Sequence, residues 1–126
     1  MTVMLKNPTA VLVIMRVNET YGKVKQAVGK VLWERAKMAM GNVVSFKTSD
    51  VEWALYHGDG VKLTPTSVTY VSYIVKLLGG EKKRSALTTF IVPMSDLLRK
   101  AKETSLDEWL KLYSEHLDKL ENGDAQ

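Results

Sequence analysis

Between Val43 and Pro93 the chain carries a start or stop signal every few residues, and that punctuation restricts the fold more than any other feature. Gly41-Asn42 and Thr48-Ser49 bracket V-V-S-F-K, which reads as a short strand. Ser49-Asp50-Val51-Glu52 has the pattern of a capping box, in which the serine oxygen takes the amide of Glu52 and the Glu52 carboxylate reaches back. The helix it opens is expected to end near His57, because Gly58-Asp59-Gly60 takes positive φ readily. Thr64-Pro65 opens another helix, with a hydroxyl at the cap and then a residue whose missing amide would have been unpaired anyway. Val68, Val71, Ile74, Val75 and Leu78 fall on one side of it, while Thr66, Thr69, Tyr70 and Tyr73 fall on the other, together with Leu77. That helix has no Asp or Glu, and Gly79-Gly80 ends it. Glu81 to Pro93 then reads as a hairpin, with K-K-R at 82–84, a turn at Ser85-Ala86 and a β-prone run from Leu87 to Val92 stopped by proline.

The flanks read more simply. Asn7-Pro8 suits a helix start, with Ala10, Ile14, Val17 and Tyr21 at helical spacing, although the β-branched run V-L-V-I-M-R-V also suits a strand. Residues 1–22 form an N-terminal segment, helix or strand, with helix preferred for the stretch begun at Asn7-Pro8. From Lys23 to Met40 an apolar stripe through Val24, Val28, Val31 and Leu32 ends at Gly41 and supplies the first core helix. Residues 23–93 form the expected core and 94–126 a helical extension. Ser95 caps a short helix through Lys102, and Ser105-Leu106-Asp107-Glu108 is a second capping box. After it Leu106, Leu110, Tyr113, Leu117 and Leu120 repeat at steps of three and four. The stripe suits a homodimer seam, or equally a face folded back on its own domain.

Charge separates the two parts of the chain. Residues 1–104 hold 16 Lys and Arg against 8 Asp and Glu, and residues 105–126 hold 2 against 6, so a body of +8 carries a tail of −4 within a net +4. A basic body suggests an anionic partner. There is no cysteine, which excludes disulfides, thiolate metal sites and cysteine nucleophiles. The apolar run from Ala10 to Val17 holds Arg16 and is far short of the roughly 20 residues of a membrane helix. With no signal peptide to be seen, the expectation is a cytoplasmic protein with no membrane span.

The order strand, helix, turn, helix and hairpin resembles the winged helix-turn-helix family. The likeness is carried by the helix ending at Gly41, V-V-S-F-K, the helix begun by Ser49, V-S-Y-I-V-K-L-L-G-G and E-K-K-R-S-A-L-T-T-F-I-V-P. It covers Val31 to Pro93, about half of the chain. It departs from the family at Gly58 to Leu63, which is longer than the three- or four-residue turn of the simplest helix-turn-helix. The resemblance implies an α+β fold, mostly helical with a small β-hairpin wing, and a double-stranded DNA-binding protein acting as a transcription regulator. It further implies a recognition helix at 65–78, whose Thr66, Ser67, Thr69, Tyr70 and Tyr73 meet the major groove, and a basic wing at 81–92. On that reading Lys82, Lys83 and Arg84 meet phosphates or the minor groove, flanked by Lys62 and Lys47. The contact face lacks Arg, Asn and Gln, so discrimination between sequences would be modest or would rest on DNA shape.

The rival reading is a winged-helix adaptor that binds protein through Tyr70, Tyr73 and the C-terminal stripe. An enzyme is not expected. His57 and His116 are distant in sequence with no ligand at metal spacing, and H-G-D-G at 57–60 lacks the phosphate-loop pattern. Asp50 and Glu52 are explained as helix-start charges. No metal or cofactor is expected.

Overall fold

Nothing between Thr9 and Tyr21 stops a helix, and none stops there: α1 runs unbroken through Pro8–Met38, 31 residues. The structure, a computed structural model, describes residues 8–84 and 88–123, with side chains from residue 19 onward. Helix is therefore the outcome for residues 8–22, and no boundary falls at residue 22. The proposed cap Asn7 lies outside the described residues. Val24, Ala27, Val28, Val31, Leu32 and Ala36 are buried along one side of α1, at the steps of three and four that keep one face inward.

Seven further elements follow: β1 (Val43–Lys47), α2 (Thr48–Asp59), α3 (Pro65–Leu77), β2 (Glu81–Arg84), β3 (Thr88–Pro93), α4 (Asp96–Arg99) and α5 (Leu106–Glu121). A 3-10 turn, Lys100–Lys102, continues α4. The three strands form an antiparallel sheet in the order β1-β3-β2. Val44 pairs with Val92 and Phe46 with Phe90, so one sheet face is apolar, and the two phenylalanine rings stack at 5.2 Å. That face joins α1 and α3 in one core with Val71, Ile74 and Val75. The result is an α+β domain of five helices and one small sheet among the described residues.

Local signals set most element ends. Thr64 Oγ1 accepts the amide of Ser67 at 3.2 Å, Ser95 Oγ that of Leu98 at 3.4 Å, and Ser105 Oγ that of Glu108 at 3.3 Å. The start of α2 differs from its expected form. The strand passes into the helix without a loop, Lys47 is the capping residue, and Asp50 rather than Glu52 reaches back, accepting the Lys47 amide at 2.8 Å. The helix also runs two residues past His57, to Asp59, and Gly60 closes it at φ +66°. The hairpin turn Ser85-Ala86, and Leu87 after it, lie outside the described residues.

The C-terminal stripe folds back on its own chain. Tyr113 and Leu117 are fully buried, as is Trp109, which the leucine spacing did not single out. Leu106, Leu110 and Leu120 flank them, half-buried. Trp109 stacks on Tyr113 at 5.1 Å and donates its indole N–H to the Leu97 carbonyl at 2.8 Å. Tyr113 donates its hydroxyl to the Lys25 carbonyl at 2.6 Å, which ties α5 to α1. Tyr113 and Leu117 are thus spent on the intrachain core, and the stripe leaves no dimer seam through them. The reason is the aromatic pair, whose burial is satisfied by the groove beside α1.

Candidate nucleic-acid interface

Because Val71, Ile74 and Val75 face the core, α3 turns Thr66, Thr69, Tyr73 and Lys76 to solvent as one stripe. Lys76 belongs to this face and escaped the sequence reading. Its spacing of three from Tyr73 was the available signal. Ser67 does not belong to it. Ser67 is 1% exposed, with its hydroxyl 3.1 Å from that of Thr64, so it completes the helix cap instead of meeting a ligand. Thr69 donates its hydroxyl to the Pro65 carbonyl at 3.3 Å and keeps only its acceptor side outward.

The two tyrosines differ. Both rings meet Tyr21 of α1, Tyr70 edge-on with centroids 5.7 Å apart and Tyr73 tilted at 6.0 Å. Tyr70 is half-buried and packs on the core, whereas Tyr73 remains 46% exposed. Leu77 is also half-buried, so the C-terminal end of this face closes over. Beyond it stands a charged cluster: Lys25 Nζ lies 3.2 Å from Asp118 and 3.0 Å from Glu121. Burial, then Glu121, pushes the Tyr21 phenol well above its ordinary range.

Strand pleating divides the basic run. Lys82 pairs with Phe90 and Arg84 with Thr88, which puts both on the sheet side that faces α3. Lys83 pairs with Thr89, and so does Lys47 from the other side, so these two lysines flank one threonine on the opposite face. Lys62 stands in the connection between α2 and α3. The basic residues expected to make one surface are therefore divided: Lys82 and Arg84 lie on the sheet face toward α3, and Lys47 with Lys83 on the opposite face.

No family model, curated protein or solved structure matches this chain. No helix among the described residues is long and apolar enough to cross a membrane.

A second surface adjoins the first. Trp53 is 64% exposed and Tyr56 54% exposed, and with His57, Leu63, Glu52, Ser49 and Lys62 they line a groove of about 540 Å³. The His57 ring lies tilted against Trp53, with ring centroids 4.1 Å apart. Sequence reading assigned this helix only a structural role. An aromatic on the outer side of an amphipathic helix is the one signal that pointed here.

Proposed function

We propose that residues 23–93 form a winged helix-turn-helix that binds double-stranded DNA, and that the protein acts as a transcription regulator. The observation that carries this reading is the acid-free, solvent-facing stripe of Thr66, Thr69, Tyr73 and Lys76 on α3, followed by the basic strand Glu81–Arg84 that packs against the same helix. The element order helix, strand, helix, helix, strand, strand supports it. With no Arg, Asn or Gln on the stripe, base recognition relies on hydroxyl and apolar contacts and on groove shape.

Fluorescence anisotropy of a labelled mixed-sequence duplex across a salt series tests the reading. Each phosphate neutralised contributes about 0.9 to the slope of log affinity against log salt. A steep slope is expected, and absence of binding at low salt removes the DNA reading.

The groove around Trp53 and Tyr56 favours a second reading, an adaptor that binds protein. A partner held there would depend on aromatic burial and would lose little affinity as salt rises.

A further inference from the structure

We infer that two copies of this chain associate through the free edge of β1, pairing in antiparallel fashion about Val44. In the order β1-β3-β2, among the described residues, only one side of β1 is covered by a strand. Which peptide groups point outward follows from the register. Val43 lies opposite Pro93, so Asn42 lies opposite Met94, and the Met94 amide donates to the Asn42 carbonyl at 2.8 Å. Hydrogen-bonded and non-bonded pairs alternate in an antiparallel ladder, so Val44 with Val92 and Phe46 with Phe90 are the bonded pairs. The peptide groups of Val43, Ser45 and Lys47 then turn away from β3. Pro93, which has no N–H, fits a non-bonded pair with Val43. The Lys47 amide is bonded to Asp50 instead of to β3, as that direction requires.

Val43 and Ser45 are left with N–H and C=O groups directed at the edge, and both residues are exposed. A second β1 placed antiparallel about Val44 sets each Val43 opposite the partner's Ser45, and each of these pairs exchanges both hydrogen bonds. Lys47, already committed to Asp50, then falls opposite Gly41 of the partner subunit, where no side chain obstructs it. No like charges meet.

The two edges of this sheet are treated differently. β2, the other edge, reads E-K-K-R, and charged residues are how proteins keep an edge from pairing. β1 reads V-V-S-F-K, with no proline and no charge before its last residue. Val43 is 51% exposed, and Met38 and Met40 just before the strand are more exposed still. This is apolar surface that a second copy covers. A copy of the same strand is favoured as the occupant because the register uses every free peptide group of Val43 and Ser45 on both partners.

The inference stands apart from DNA binding and is tested without it. Sedimentation of the wild-type chain is expected to give twice the chain mass. Ser45→Pro removes an N–H that β3 does not use, so this variant is expected to keep its circular dichroism and sediment as a monomer. Because the protein has no cysteine, single thiols report the register. Val43→Cys mixed with Ser45→Cys is expected to give a mixed disulfide, since α-carbons of a bonded pair stand about 5.5 Å apart. Ser45→Cys alone is expected to cross-link far more slowly, its two copies being offset by two residues. A monomeric wild type overturns the inference, and so does a dimer that Ser45→Pro leaves intact and the mixed thiols do not link.

Discussion

Gly29 and Tyr113 touch where α1 crosses α5: a β-carbon on Gly29 would stand 2.7 Å from Cε2 of the ring. Leu110 Cδ2 would be 2.8 Å away on the same side. Tyr113 cannot retreat, being stacked on Trp109 and bonded to the Lys25 carbonyl. In an open helix, glycine to alanine gains about 0.8–1.0 kcal/mol, but overpacking a rigid site costs about 1–3 kcal/mol. Gly29→Ala is therefore expected to lose up to roughly 2 kcal/mol in urea unfolding. Gly22→Ala, on the same helix with no atom within 4 Å of the added carbon, is expected to gain up to about 1 kcal/mol. Equal effects of the two changes would mean that α5 does not sit on Gly29.

The same seam sets an alkaline limit. Burial pushes the Tyr113 hydroxyl up, and burial followed by Glu121 pushes Tyr21 up, both from an ordinary 10.0. Burial pulls Lys25 down, but Glu121 and Asp118 outweigh it and leave the amine above 10.5. All three groups hold their protons longer in the folded state than in the unfolded one. Their contribution is complete below the unfolded values and is lost as pH rises past them. The thermal midpoint should be steady with respect to these groups up to about pH 10 and fall above it. Tyr113→Phe, less stable at neutral pH for want of its hydrogen bond, should fall less steeply over that alkaline range. An identical slope would place the sensitivity elsewhere.

The division of the basic run between two sheet faces makes a prediction that the sequence K-K-R does not. If DNA docks on α3, Lys82→Ala with Arg84→Ala should flatten the salt slope by about 1.8, for two phosphates lost. Lys47→Ala with Lys83→Ala should leave it nearly unchanged. Equal losses from the two pairs would mean that the duplex contacts both faces of the hairpin.

Tyr70 and Tyr73 should separate stability from binding. Tyr70→Ala removes a ring packed on Tyr21 and the core, and about 2–3 kcal/mol of stability should go with it. Tyr73→Ala removes a half-open ring, so the unfolding midpoint should shift little while affinity for the duplex drops. A large loss of stability at Tyr73 would mark it as core and remove it from the contact face.

Much of the local structure was legible because it depends on a side chain and its own neighbouring backbone. The bounds of Val43–Lys47, the Thr64, Ser95 and Ser105 caps and the stop at Gly79-Gly80 were all readable in this way. Even there, the start of α2 moved. Asp50 and Glu52 both stand near the helix start, and only the direct entry from the strand selects Asp50. The outward placement of three of the five α3 residues singled out was legible for the same reason, since helical spacing alone puts Thr66, Thr69 and Tyr73 opposite Val71 and Ile74.

By itself, then, the sequence determined the kind and order of the elements from residue 23 onward, the basic body and the absence of thiol chemistry. Tertiary structure decided which surfaces remained. It buried Ser67, committed Tyr113 and Leu117 to α1, split Lys83 from Lys82 and Arg84, and left Trp53 in the open. Each of those outcomes depends on which distant segment arrives alongside, as Tyr113 does beside Gly29, and no spacing within one segment encodes that. The pleat assigns alternate residues to opposite faces, but only pairing with β3 says which face is the core.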